Sequence, residues 1–145
     1  MRSDAVNSLE RLLPHRAPML LLDELLEWSP EGARAAARVR EGNPFLRPDG
    51  TLERAAFAEM LAQCFAAGAG ACLHHTGGTA PGVGYLAALR DVELLADARV
   101  GQKLAVATRV TARLGGVIAA EGDVRAGDLV LARGAFKVFI PEGGA

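Results

Sequence analysis

Aromatic residues are scarce in this chain: five Phe, one Trp and one Tyr, or 5% of 145 residues. That scarcity argues against a platform on which bases stack. Neither sign of charge is in excess, with 16 Lys and Arg against 17 Asp and Glu. The sequence therefore has no basic footprint for nucleic acid. Cysteine is nearly absent. Cys64 and Cys72 form no C-x-x-C pair and no metal-ligand spacing. On one helix they would stand about 12 Å apart, too far for a disulfide. They read as two small buried hydrophobes in a reducing compartment, the cytoplasm. The N-terminal stretch MRSDAVNSLERLLPHRAP is charged throughout and has no apolar run ending in a small-residue cleavage site, so it is not read as a secretory signal.

What the chain does have is a long apolar segment, AAFAEMLAQCFAAGAGACL, residues 55–73. It predicts a helix that is apolar or small on every face, which marks a buried helix. Glu59 and Gln63 interrupt it, four apart and so on one face. A lone carboxylate is almost never fully buried unless it is paired or functional. The length would suit a membrane span. However, a carboxylate at the bilayer centre costs on the order of 2.5–3.5 kcal/mol, and Ala and Gly dominate rather than Leu, Ile and Phe. The reading is a soluble core helix with no membrane span.

The rest of the chain fits a single domain, residues 1–145, large enough to hold a core without staples. Residues 4–13 predict a short amphipathic helix with Val6, Leu9, Leu12 and Leu13 on one side and Asp4 or Asn7 as its cap. Pro14 and Pro18 bracket a turn. Residues 19–28 predict a strand, Ser29-Pro30-Glu31-Gly32 a turn, and 33–40 the returning strand. A loop, 41–50, leads to the apolar helix, with Thr51 or Asp49 as its expected cap and Glu53 in its first turn. The helix should end near His74 and His75, before Thr76-Gly77-Gly78. Residues 83–95, 102–113, 116–126 and 128–140 then predict four strands separated by Gly-bearing turns. The fold class is α+β, with a long central helix wrapped by a curved antiparallel sheet. One sheet cannot enclose a helix on all sides, so the remaining face calls for a second subunit, and a homodimer follows.

Strand–strand–helix followed by four strands is the order of the hotdog fold, and particular residues carry a closer resemblance. Leu12-Leu13-Pro14-His15-Arg16-Ala17-Pro18-Met19-Leu20-Leu21-Leu22-Asp23 resembles the opening motif of the (3R)-hydroxyacyl-[acyl-carrier-protein] dehydratases. Glu59-Met60-Leu61-Ala62-Gln63 matches that family's Glu-x-x-x-Gln helix motif. Gly84-Tyr85-Leu86, Val92-Glu93-Leu94 and Val100-Gly101-Gln102-Lys103-Leu104 are similar to its third strand and the following turn. One departure is plain. The family's catalytic His lies in a Gly-His-Phe-Pro-Gly loop before the helix, and an ungapped count reaches Phe45 there. No His occurs between His15 and His74. That pattern resembles the divergent dehydratase-like proteins of aryl-polyene and related polyketide pathways.

Dehydration of a 3-hydroxyacyl thioester needs a base for the α-proton, an acid for the leaving hydroxyl, and donors for the thioester oxygen. In the family the His is the base and the Glu serves the hydroxyl, the two coming from opposite subunits. The resemblance thus implies an acid or hydroxyl-binding role for Glu59, oriented by Gln63. Set against this is a purely structural Glu59, paired with Arg16 or Arg90. The absent loop His leaves three readings. Another His, best His15, replaces it, although His15 could equally serve only to hydrogen-bond in its turn. His74 and His75 lie about 22 Å along the helix from Glu59 and read as a solvated helix end. Alternatively a hotdog thioesterase works with the helix carboxylate alone. In the third reading the chain is a degenerate accessory subunit of a dehydratase hetero-oligomer. The implied ligand is an acyl thioester on the phosphopantetheine of an acyl carrier protein or on CoA, with no other cofactor. It would lie in a tunnel at the dimer interface, along the helix N-terminal half and the strand from Gly84. Gln63, Phe45, Gly84 and Tyr85 are its expected contacts, and Arg11, Arg16, Arg38 and Arg40 the landing patch for an acidic carrier. Asp23 reads as structural, and Asp91 and Glu93 as one solvated strand face.

Overall fold

The turn Ser29-Pro30-Glu31-Gly32 reverses the chain as expected, with the Glu31 amide donating to Ser29 Oγ at 3.2 Å. It joins β1 (Glu24–Ser29) to β2 (Gly32–Arg38). The structure is a computed structural model and describes residues 9–77 and 85–139. Around the hairpin stand α1 (Leu9–Leu12), α2 (Ala55–His75), β3 (Tyr85–Leu94), β4 (Lys103–Leu114), β5 (Val117–Ala126) and β6 (Leu129–Phe139). The strands form one sheet in the order β1-β2-β4-β5-β6-β3, antiparallel throughout.

Alternation decides which face of the sheet meets the helix. On β2, Ala33, Ala35 and Ala37 are buried while Arg34 and Arg38 face outward, and on β4 Leu104, Val106 and Thr108 are the buried set. These small and β-branched residues receive α2 closely. A Cβ added to Gly68 would stand 2.6 Å from that of Ala33. One at Gly122 would lie 2.4 Å from the Ala107 carbonyl oxygen and 2.8 Å from Leu61 Cδ2. The Phe65 ring meets Phe136 of β6 edge-on at 5.8 Å, tying the helix to the far half of the sheet. Ala56, Phe57, Met60, Gln63, Cys64, Ala67 and Ala71 have no exposure at all. A stripe of α2 stays half-buried, Ala58, Glu59, Ala62, Ala66, Ala69, Cys72 and Leu73, and its end residues Ala55, His74 and His75 are exposed. The apolar segment is thus the core helix of a hotdog fold. Burial pushes the Cys64 thiol up to about 12, as suits a small buried hydrophobe. Cys72 is half-buried, and burial raises its thiol too.

Several boundaries differ from the sequence reading. The strand expected over 19–28 begins only at Glu24, and residues 19–23 form a loop. Leu21 and Leu22 in that loop are 4% and 3% exposed, so its apolarity reflects burial and not strand pairing. The helix expected over 4–13 is seen as Leu9–Leu12, with residues 4–8 outside the described residues. The expected caps of α2 are spent on each other. Asp49 Oδ1 accepts from the Thr51 amide at 2.9 Å and from Thr51 Oγ1 at 2.6 Å. Those bonds, the side-chain one foremost, hold the Asp49 carboxyl below its usual range. Helix α2 instead follows Arg54 without a side-chain cap, and Glu53 precedes its first turn. Arg54 donates to Asp97 at 2.8 Å and to the Leu94 carbonyl at 2.9 Å, which anchors the helix start to the chain leaving β3.

Candidate active site

Helix α2 carries Glu59 on its half-buried stripe, one turn before the fully buried Gln63. The loop after α1 crosses this point and carries His15. The Gln63 amide holds the two together. Its Oε1 accepts from the Leu21 amide at 2.9 Å, and its Nε2 donates to the Met19 carbonyl at 2.8 Å and to Glu59 Oε1 at 2.9 Å. A side chain on the helix thus takes the place of a strand partner for residues 19–21. The same oxygen, Glu59 Oε1, lies 3.2 Å from His15 Nε2. Both side chains remain about a third exposed, at 29% and 31%. His15 Nδ1 is buried and has no hydrogen-bond partner among the described residues.

Glu59 and His15 therefore come from one chain, whereas the family arrangement takes its pair from opposite subunits. Neither arginine weighed as a structural partner serves Glu59. Arg16 Nη1 donates to the carbonyls of Leu13 at 3.0 Å and His15 at 2.8 Å, which fixes the turn around His15. Arg90 lies exposed on β3, opposite Ala135.

The remaining expected site residues are placed as follows. Phe45 is half-buried against the core, its amide bonded to Asn43 Oδ1 at 2.8 Å and its carbonyl accepting from the Glu53 amide at 2.8 Å. Tyr85 is the first residue of β3, and Gly84 lies outside the described residues. His75, at the C-terminal end of α2, packs edge-on against Trp28 at 5.3 Å. Asp23 is structural: it accepts from the Arg38 amide at 2.7 Å and from Arg40 Nη2 at 2.9 Å. Glu93 pairs with Arg133 at 2.9 Å, and Asp91 sits at a bulge with φ 49°. The sequence reading did not foresee that Gln63 would bind the backbone of residues 19–21. The available signal was an amide in an otherwise apolar buried helix, which must find partners.

The family described as ApeP-like, ApeP dehydratase, matches residues 7–145. The chain belongs to the ApeP-like dehydratase family. Among solved structures, the ApeP-like chain is similar to one from the dehydratase heterocomplex ApeI:P of Xenorhabdus doucetiae. Identity is 25% over 93% of this chain and 91% of that one, with a TM-score of 0.85. An uncharacterized protein from Pyrococcus horikoshii shares the fold at 14% identity, covering 94% and 95% of the two chains, with a TM-score of 0.69. The PaaI protein from the E. coli phenylacetic acid degradation operon does so at 14% identity over 79% and 80%, TM-score 0.62. No curated protein matches the chain.

Proposed function

We propose that this ApeP-like chain dehydrates a 3-hydroxyacyl thioester carried on the phosphopantetheine of an acyl carrier protein, in the cytoplasm, within fatty-acid or aryl-polyene-type polyketide biosynthesis. The observation that carries the reading is His15 Nε2 at 3.2 Å from Glu59 Oε1, on the half-buried face of the core helix. A helix carboxylate held by fixed partners and within reach of solvent can carry the proton transfers of the elimination. The chemistry is a proton transfer, so it asks for no cofactor beyond the carrier's own arm. A cleft of about 480 Å³ beside the His15 loop supports a carrier-borne substrate. Ala17, Pro18 and Leu20 line it with Arg38 and Arg40, whose charge is offset there by Glu10 and by Asp23, already paired with Arg40 at 2.9 Å.

The test is hydration of a trans-2-enoyl thioester by the purified protein, followed at the thioester chromophore. Glu59→Gln keeps the side-chain shape and should lower the rate by ~10²–10⁴-fold, with the circular dichroism unchanged. Free thiol is followed in the same assay, and its release without hydration would replace this reading with a thioesterase. A second reading rests on the heterocomplex named for the Xenorhabdus structure. If the protein alone is inert, it is the accessory subunit, and rate should appear on mixing with a dehydratase paralogue that keeps the loop His.

A further inference from the structure

We infer that His15 is not a stand-in for the absent base but a positioning donor, held as the Nε2–H tautomer, so that Glu59 alone moves both protons. The inference rests on the dehydratase reading for its chemistry and on geometry alone for its tautomer. His15 Nδ1 is buried without a hydrogen-bond partner among the described residues. Placing the ring proton there would strand a buried N–H, at a cost of about 1–3 kcal/mol. It would also turn the Nε2 lone pair toward a carboxylate oxygen at 3.2 Å. The opposite tautomer leaves Nδ1 a bare acceptor in place of a stranded N–H, removes the clash of lone pairs at Nε2 and aims an N–H at Glu59 Oε1. Gln63 constrains that oxygen further. Its amide oxygen is taken by the Leu21 amide, so its Nε2 must face outward and donate to Met19 and Glu59 Oε1. With donors on two sides, Oε1 is an acceptor in either charge state of Glu59. The exchangeable proton of Glu59 therefore belongs on Oε2.

The step balances with this one carboxylate. Oε2 takes the α-proton as the Cα–H bond breaks, and its electron pair becomes the Cα–Cβ double bond while the Cβ–O bond breaks. The proton on Oε2 then passes to the departing hydroxyl, which leaves as water, and Glu59 returns to carboxylate. The substrate needs its α-hydrogen and hydroxyl on the same side. No second base is used, which accounts for a dehydratase-family chain with no loop His between His15 and His74.

Two measurements decide it. The ¹⁵N spectrum of imidazole-labelled protein, at a pH where the ring is neutral, should show the Nε2–H tautomer for His15, and the tautomer balance should change in Glu59→Ala. A Nδ1–H signal overturns the inference. In the hydration assay, His15→Gln keeps an N–H near the Nε2 position and should stay within about tenfold of the parent, while His15→Ala should fall ~10²-fold and Glu59→Gln further. If His15→Gln is as poor as Glu59→Gln, His15 is a proton carrier and the inference fails. Should the parent protein show no turnover even with a paralogue, the proposed function falls, and the tautomer is still decided by the spectrum.

Discussion

The Gln63 side chain is fully enclosed, yet each of its polar atoms is bonded. Removing that amide strands the Leu21 N–H and the Met19 carbonyl next to an apolar helix, and each stranded group costs about 1–3 kcal/mol. Gln63→Leu should therefore lower stability by about 2–5 kcal/mol, read from the urea midpoint, and free the loop that carries His15. Enoyl hydration should fall with it, because Glu59 Oε1 loses a fixed donor. A variant with the parent's midpoint would show that residues 19–21 hold their place without Gln63. At this scale the sequence was informative about Glu59 and Gln63, since polar groups on an all-apolar helix demand an explanation. It said less about His15. A turn between two prolines gives no period from which to compute direction, so the approach of Nε2 to Glu59 became visible only in three dimensions.

Elements were legible in proportion to their regularity. Helix α2 runs Ala55–His75 and ends at His74 and His75 as expected, because its apolar and small residues favour a buried helix throughout. The four later strands keep their order and their Gly-bearing turns, such as Gly115 and Gly127 at positive φ. The strand expected from residue 19 failed for a physical reason: a buried loop is as apolar as a strand, and the partner that distinguishes them lies on a distant helix. The cap of α2 failed similarly, since Asp49 satisfies a local turn before it can reach the helix. Close packing between α2 and the sheet gives a prediction at this scale. Gly122 faces Ala107 backbone on one side and Leu61 on the other, both inside van der Waals contact of a new methyl group. Gly122→Ala should cost about 1–3 kcal/mol by thermal unfolding, because the Ala107 carbonyl cannot rotate away as a side-chain end would. A melting curve superimposable on the parent would show that β5 can shift away from the Ala107 carbonyl of β4 as well as from α2.

On the scale of the whole molecule the two edges of the sheet are unlike. Strand β1 is short and carries Glu24 and Glu27 exposed, charges that discourage another strand from pairing. Strand β3 bonds only to β6 among the described residues, and Leu86, Leu89, Val92 and Leu94 on it are 39–49% exposed, with Leu95 just beyond at 48%. A long apolar edge of this kind invites a partner strand. The half-buried stripe of α2 that carries Glu59 is another surface the described residues leave incompletely covered. A homodimer, or a pair with a dehydratase paralogue, formed along β3 is the arrangement these features support. Irregularities between Leu86 and Ala88 and at Asp91 interrupt the regular ladder, so the continuous run is Ala88–Arg90, and Leu89 is the most exposed large apolar residue of the strand. Leu89→Arg puts a charge there at a side chain that is 49% exposed, opposite Phe136 on β6. Light scattering on a sizing column at micromolar concentration should give a dimer for the parent and half that mass for the variant. Circular dichroism should match between the two, because an exposed Leu contributes little to the fold of one chain. An unchanged mass for Leu89→Arg would move the interface off β3, and a monomeric parent would leave the edge for a paralogue, where the same substitution should abolish co-elution.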